Sequence, residues 1–217
     1  MGLVAHAEGA RLEGAYGQMH VAPRGYCGIA PLPDGRFNVA MVVPISALKR
    51  SGLTPGTFFD SWIARNPCLR EVLSGARLVS SVRGVAPIGA RAARAFAPGV
   101  LLVGDAAGFF DPFTGEGIYR ALRGAQLAST IVECVVRSTE RARLSHYDVL
   151  RKEEFRKKSA VTTLVQLFLQ HPSVLDYAIS RLQGRDGALT TLGNVLGDIR
   201  PASDFLQPRV LWSALRP

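Results

Sequence analysis

The sequence predicts an α+β protein in which an antiparallel sheet precedes a strand–loop–helix unit of α/β type and a helical C-terminal region. Three observations predict it. Beyond an Asp34-Gly35 turn, Phe37, Val39, Met41 and Val43 alternate with a second set of side chains, the period of a strand with one strongly apolar face. Val100 to Val103 is a short apolar run between glycines that leads through a loop to a helix opening at Gly117. From Ser145 onward, helical runs succeed one another, punctuated by His171-Pro172, Gly184, Pro201 and Pro208. The boundaries expected from this are a sheet with a helical insertion over 1–95, the strand–loop–helix unit over 96–136 and a helical subdomain over 137–217.

Composition limits the function classes. A chain of 217 residues, 47% hydrophobic and 20% charged, is globular rather than disordered. A net charge of +9 and a pI near 10.1 suit anionic partners, whether nucleic acid, an acidic membrane surface or a phosphorylated ligand. The basic residues are scattered, apart from residues 137–158 with eight basic and four acidic side chains, so no nucleic-acid partner is expected. That run reads as a solvated helix face, with peripheral contact to the inner face of a membrane as the alternative. Cys27, Cys68 and Cys134 are odd in number and far apart, which fits a reducing cytoplasm and gives no metal-ligand spacing. The longest uncharged run, Ser159 to Leu175, is broken by Thr162, Thr163, Gln166, Gln170 and Pro172 and is not expected to span a bilayer.

In chain order, Met1 to Met19 is Gly- and Ala-rich with Glu8, Arg11 and Glu13 interspersed, and reads as loop or irregular strand. His20 to Pro31 can be extended and pairs through the Asp34-Gly35 turn with the strand that follows. Thr54-Pro55 starts a helix carrying Phe58, Phe59, Trp62 and Ile63, and Asn66-Pro67 stops it. A short helix over Leu69 to Leu73 ends at Gly75, and Leu78 to Val85 returns as a strand. Arg91 and Arg94 then read as solvated, with a phosphate or an electron donor as the alternative partner. His6, His20, His146 and His171 show no partner for catalysis, so the catalytic residues remain unassigned.

The central segment, Val100 to Val135, offers chemistry. The strand, expected to be buried on both faces, ends at Asp105, where open α/β sheets place their ligands. Gly108, Pro112 and Gly115 make Ala106 to Glu116 a loop, threaded with Phe109, Phe110 and Phe113. From Gly117, Ile118, Ala121, Leu122, Ala125, Ser129 and Val132 fall on one expected packing face, with Gly124 allowing close backbone approach. First-turn amides near Gly115 to Ile118 can receive an electron-rich group, and glycines there keep no ligand away. Glycines alone fit an ordinary packing turn equally well.

The string GDAAGFFDPFTGEGI resembles the second flavin-binding motif of FAD-dependent oxidoreductases that include aromatic hydroxylases, flavin-dependent halogenases and geranylgeranyl reductases. The resemblance implies FAD as cofactor, with Asp105 on the ribityl chain and Gly104, Pro112, Gly115, Glu116, Gly117 and Ile118 along the flavin. Gly108 and Gly115-Glu116 favour the geranylgeranyl-reductase-like branch over hydroxylases and halogenases. Pro23 to Pro31 matches in length and register that branch's P-x-x-Y-x-W-x-F-P motif, which lines an isoprenoid pocket. Tyr26, Cys27, Gly28 and Ala30 are then the substrate-binding candidates, with Gly28 and Ala30 standing where the family has Trp and Phe. A plain strand with a close approach at Gly28, and a Cys27 that fills core, are the competing readings.

The implied activity is FAD-dependent hydride transfer to an alkene of a hydrophobic, lipid-like substrate, with NAD(P)H or another reductant as electron donor. Monooxygenase or halogenase chemistry is the alternative, and a flavin-free fragment or interaction module the non-enzyme one. The family's G-x-G-x-x-G βαβ unit does not occur; Gly115 to Arg120 has Arg in the third glycine position. The chain is therefore expected to be the C-terminal portion of such a protein, truncated or paired with a separate N-terminal half.

Overall fold

The computed structural model describes residues 1–208 except 13, 15, 139–143, 183–185, 198 and 206. The expectations at Glu13, at Gly184 and at 139–143 of the basic run lie outside the described residues. The chain divides into two compact units, one formed by 1–88 with 169–172 and the other by 89–168 with 173–217.

The first unit is an antiparallel sheet of six strands with three helices inserted. The strands are β1 (Gly2–Glu8), β2 (Gln18–Ala22), β3 (Gly25–Pro31), β4 (Phe37–Val42), β5 (Arg77–Leu78) and β6 (Arg83–Val85), in the order β2-β3-β4-β1-β5 with β6 also on β1. The β3–β4 hairpin turns at Asp34-Gly35 as expected, and its register runs from Tyr26 opposite Val42 to Pro31 opposite Phe37. Helices α1 (Ile45–Ser51), α2 (Pro55–Arg65) and α3 (Pro67–Val72) separate β4 from β5. The Thr54 side chain accepts from the Thr57 N–H at the start of α2, and the Asn66 side chain caps α3 in the same way.

The N-terminal stretch corrects the sequence reading. Its first part is not irregular but forms β1, the strand flanked by β4 on one side and β5 and β6 on the other. Low β-propensity hides it, because Ala5, His6 and Ala7 are poor strand formers; what holds it is packing, with Leu3, Ala5 and Ala7 all fully buried. The small side chains of Ala5 and Ala7 leave room for Phe59 of α2 and Leu69 of α3, which share one core with Leu3, Cys27, Ile29, Val39 and Met41. The single strand expected over Leu78 to Val85 is two short ones. Between them Ser80 Oγ takes the His6 N–H at 2.8 Å, and a side chain replaces a ladder bond.

The second unit begins with a two-stranded ribbon, β7 (Phe96–Ala97) against β8 (Val100–Leu101). Two 3-10 turns, Gly104–Ala107 and Pro112–Thr114, lead into α4 (Gly117–Ser138). There follow α5 (Leu144–Gln170), α6 (Pro172–Leu182), α7 (Asp186–Leu196) and α8 (Ala202–Phe205). The expected strand is thus shorter than Val100 to Val103 and is not buried on both faces: Val100 is 50% exposed.

Helix α4 presents the opposite face from the one expected. Arg120, Gly124, Ala128 and Ile131 are buried, whereas Ile118, Leu122, Ala125, Ser129, Val132 and Val136 are exposed and lie along one stripe. Ile118 is 77% and Leu122 66% exposed. Periodicity identified the stripe, but only tertiary packing decides which side is covered, and Gly124 decides it here. A Cβ there would sit 3.4 Å from Val103 Cγ1 and 3.6 Å from the Tyr147 hydroxyl, the close approach its sequence position suggested.

Burial pushes the Cys27 thiol up to about 12, and Cys68 is exposed. A thiolate-selective reagent at neutral pH should therefore modify Cys68 in the native chain and reach Cys27 only in denaturant, as mass spectrometry of labelled peptides would read.

Candidate functional site

In the second unit, Gly104 to Gly117 is held from within by charges and from the side by α5. Glu116, the residue before α4, is 3% exposed, and its Oε1 accepts from the Thr162 hydroxyl at 2.8 Å. Its Oε2 lies 3.2 Å from Nε of Arg120, itself 8% exposed. That contact is ionic but not aligned as a hydrogen bond, so both atoms, with Thr114 Oγ1, have no hydrogen-bond partner among the described residues. Arg120 Nη2 donates to Ser159 Oγ at 3.1 Å, and its guanidinium stands 4.8 Å from the Phe110 ring centre and 5.0 Å from that of Phe155. Arg91 stacks on the same Phe110 ring at 3.5 Å.

Helix α5 also fixes the ribbon that delivers Asp105. The Tyr147 hydroxyl donates to the Leu102 carbonyl at 2.9 Å, and Asp148 Oδ1 accepts from the Ala95 N–H at 3.2 Å. Burial pushes the Asp148 carboxyl up, but bonds from Lys152 and the Ala95 N–H outweigh it and the net shift is downward. Arg123 grips Glu154 with two bonds of 2.9 and 3.0 Å, joining α4 to α5. Burial lowers the Arg151 guanidinium from its usual value, with the charges of Arg120 and Arg91 adding to the effect.

The residues singled out from the sequence divide into two sets. Asp105, Pro112, Gly115 and Ile118 are exposed, and the Asp105 side chain has no hydrogen bond or ion pair to a described residue. Glu116 points inward and is occupied by Thr162 and Arg120, so its side chain is not presented at the surface. Gly104, at φ +57°, needs its missing side chain, because a Cβ would lie 3.2 Å from Ala121 Cβ. Nothing stands within 4 Å of a Cβ built at Gly115, and only Phe109 approaches one at Gly117. The cleft lined by Asp105, Phe109, Phe110, Gly117 and Arg120 holds about 10 Å³, space for one water rather than for a ring system.

These features fit a flavin's sugar-alcohol chain and ring edge. A free carboxylate suits ribityl hydroxyls, and the N-terminus of a 22-residue helix beside two bare glycines suits an electron-rich edge. The sequence did not flag Arg120, Ser159 or Thr162. The i,i+4 spacing of Glu116 and Arg120 was the available signal, and it reads as an ordinary surface pair until burial is known.

In the first unit, Tyr26, Gly28 and Ala30 alternate with Cys27 and Ile29 along β3. Cys27 is fully buried in the core that includes Phe58 and Phe59, away from any open surface. Tyr26 is buried and Ala30 exposed. At Gly28, cross-strand Met19 takes up the space expected to be free: its Sδ would lie 2.9 Å from a Cβ placed there.

No family model matches the chain. It is 27% identical over 202 residues to conditioned medium factor receptor 1 of Dictyostelium discoideum, covering 86% of this chain and 37% of that protein. With the digeranylgeranylglycerophospholipid reductase of Thermoplasma acidophilum it shares 29% identity over 145 residues, 64% of this chain and 34% of that protein. Among solved structures, a geranylgeranyl bacteriochlorophyll reductase-like protein of Thermoplasma acidophilum aligns over 82% of this chain and 46% of its own, with a TM-score of 0.63 at 23% identity. The chain is related to the FAD-dependent oxidoreductases of the geranylgeranyl reductase-like group. The flavin-dependent brominase Bmp2 shares the fold over 99% of this chain and 56% of its own, with a TM-score of 0.75 at 16% identity. The expected mixed α and β architecture of such a flavoprotein is present. The chain spans 37% and 34% of the lengths of the Dictyostelium and Thermoplasma relatives.

Glu116→Gln should cost about 3–5 kcal/mol in urea unfolding, because it strands a buried guanidinium. Glu116→Gln combined with Arg120→Met should recover most of that loss, and additive losses would show that the pair is not coupled.

Proposed function

We propose that this chain supplies the flavin-facing loop and the substrate sheet of an FAD-dependent oxidoreductase that reduces alkene bonds of an isoprenoid or other lipid-like substrate. The observation that carries the reading is the unpaired, exposed Asp105 carboxylate at the end of the ribbon, followed by the bare glycines at the start of α4. Asp105 would accept from ribityl hydroxyls. Gly104, Pro112, Gly115, Gly117 and Ile118 would face the flavin through backbone, and Glu116 would hold the loop from behind. Bound there, reduced FAD would supply a hydride, with a proton from solvent completing the reduction of the alkene, and NAD(P)H or another reductant would restore the reduced flavin. The dipole of α4 would favour negative charge near Gly117 and Ile118, and Phe109 and Phe110 would keep water from the inner side of the loop.

The relatives named as reductases support the substrate class, with Tyr26, Gly28 and Ala30 as the strand positions that would meet it. Met19 opposite Gly28 would narrow such a pocket rather than leave it wide. The exposed stripe of α4 supports a chain that works with a nucleotide-binding half, since a row of Ile118, Leu122, Val132 and Val136 in water is unfavourable by the transfer cost of each side chain. Among the described residues no helix is long and apolar enough to cross a membrane. The name of the Dictyostelium relative, a receptor, favours a flavin-free module as the second reading; a bound-flavin spectrum of the chain joined to a nucleotide-binding half separates the two.

In the chain joined to a nucleotide-binding half, Asp105→Ala should weaken flavin retention by about 1.5–3 kcal/mol, the loss of a hydrogen bond to a charged group. Equilibrium dialysis against FAD measures it, and unchanged affinity would remove Asp105 from the site.

A further inference from the structure

A groove of about 810 Å³ opens in the first unit, where the β2–β3 turn meets α1 and α2. Its walls include Val21, Pro23, Leu53, Phe58 and Trp62, and three arginines, Arg24, Arg50 and Arg65, border it. No Asp or Glu among the described residues lines it. Among the described residues none of the three arginines takes part in an ion pair. No carboxylate among the described residues pairs with that charge.

The backbone favours this arrangement at two helix ends and opposes it at the turn. Arg50 sits in the last turn of α1 and Arg65 in the last turn of α2, where the helix dipole attracts a cation. Arg24 follows Pro23 at the second central position of the turn, with φ +67°, a conformation that ordinarily selects glycine or asparagine. It is the one described residue other than glycine with positive φ. Backbone preference therefore works against an arginine at this position.

An inorganic anion would use the guanidinium groups and leave the apolar walls wet. A neutral hydrocarbon would use the walls and leave three charges idle. Leu53 lines the groove yet is 38% exposed, an apolar side chain offered outward beside cations. We propose that this groove docks the protein on an anionic bilayer, seating one phospholipid phosphate among Arg24, Arg50 and Arg65 while Leu53 and Trp62 enter the headgroup–acyl boundary. The site is separate from the flavin reading and needs no cofactor. None of Tyr26, Cys27, Gly28 and Ala30 lines it.

The test is co-sedimentation of the full chain with phosphatidylcholine vesicles, with and without about one-third phosphatidylglycerol. Binding is expected only to the anionic vesicles. Each of Arg24→Gln, Arg50→Gln and Arg65→Gln should weaken it about fivefold, and Leu53→Ser should weaken it with no change in charge. A control chain carrying Arg70→Gln, Arg156→Gln and Lys157→Gln has the same net charge as the groove triple variant and should bind nearly as the parent does. Circular dichroism confirms that each variant compared is folded. Equal loss in the control and the groove triple variant, equal binding to uncharged vesicles, or capture of monomeric short-chain phosphatidic acid without vesicle binding would each overturn the proposal.

Discussion

The buried contact between Glu116 and Arg120 is the constraint on which the second unit depends. Two charges taken out of water cost several kcal/mol each unless they are matched and further satisfied. Here the matching comes from four directions: the opposite charge one helical turn away, the Thr162 hydroxyl, the Ser159 hydroxyl, and the ring faces of Phe110 and Phe155. Three of those groups, Thr162, Ser159 and Phe155, belong to α5. The first turn of α4 is thus fixed from behind by a different helix, and the loop that precedes it inherits that position. Tyr147 and Asp148, two to four turns earlier on α5, hold the ribbon at Leu102 and Ala95. One helix therefore fixes both ends of the segment from Ala95 to Gly117.

This arrangement separates holding from binding. Side chains that point inward are engaged with one another, while Asp105, Gly115 and Ile118 remain at the surface. A carboxylate used to clamp the loop could not also be offered to a ligand; Glu116 has the first task, and Asp105 stays exposed, where the proposed function gives it the second. The glycines allow the backbone to approach. Gly104 lets the turn lie against Ala121, and Gly124 lets α4 lie against Val103 and Tyr147.

Much of the fold was legible where a local chemical signal coincides with the tertiary outcome. Asp34-Gly35 turns a hairpin, Thr54-Pro55 and Asn66-Pro67 bracket α2, and Gly117 opens α4 because those residues act through their own backbone neighbours. The rest was set by contacts remote in sequence. Strand β1 has weak propensity and exists because β4, β5 and β6 flank it; the direction in which α4 turns its apolar stripe depends on what Gly124 meets. Asp105 could be singled out from its position after an apolar run, although the strand expected to end there stops at Leu101. The inward turn of Glu116 could not, since an i,i+4 Glu–Arg pair looks the same in sequence whether solvated or buried. Met19 opposite Gly28 likewise follows from strand register, which the alternation alone does not number.

The central claim is the proposal that this chain carries one face of a flavin site and retains the cofactor only together with a nucleotide-binding part. The direct measurement is FAD stoichiometry by absorbance, on the 217-residue chain alone and on the same chain joined to the nucleotide-binding portion of its Thermoplasma reductase relative. Removing the adenosine anchors forfeits their binding energy while the remaining groups still have to be ordered. The account predicts no retained flavin for the chain alone and about one flavin per joined molecule. A yellow, well-folded chain holding stoichiometric FAD unaided would contradict it, as would a folded joined protein that stays colourless.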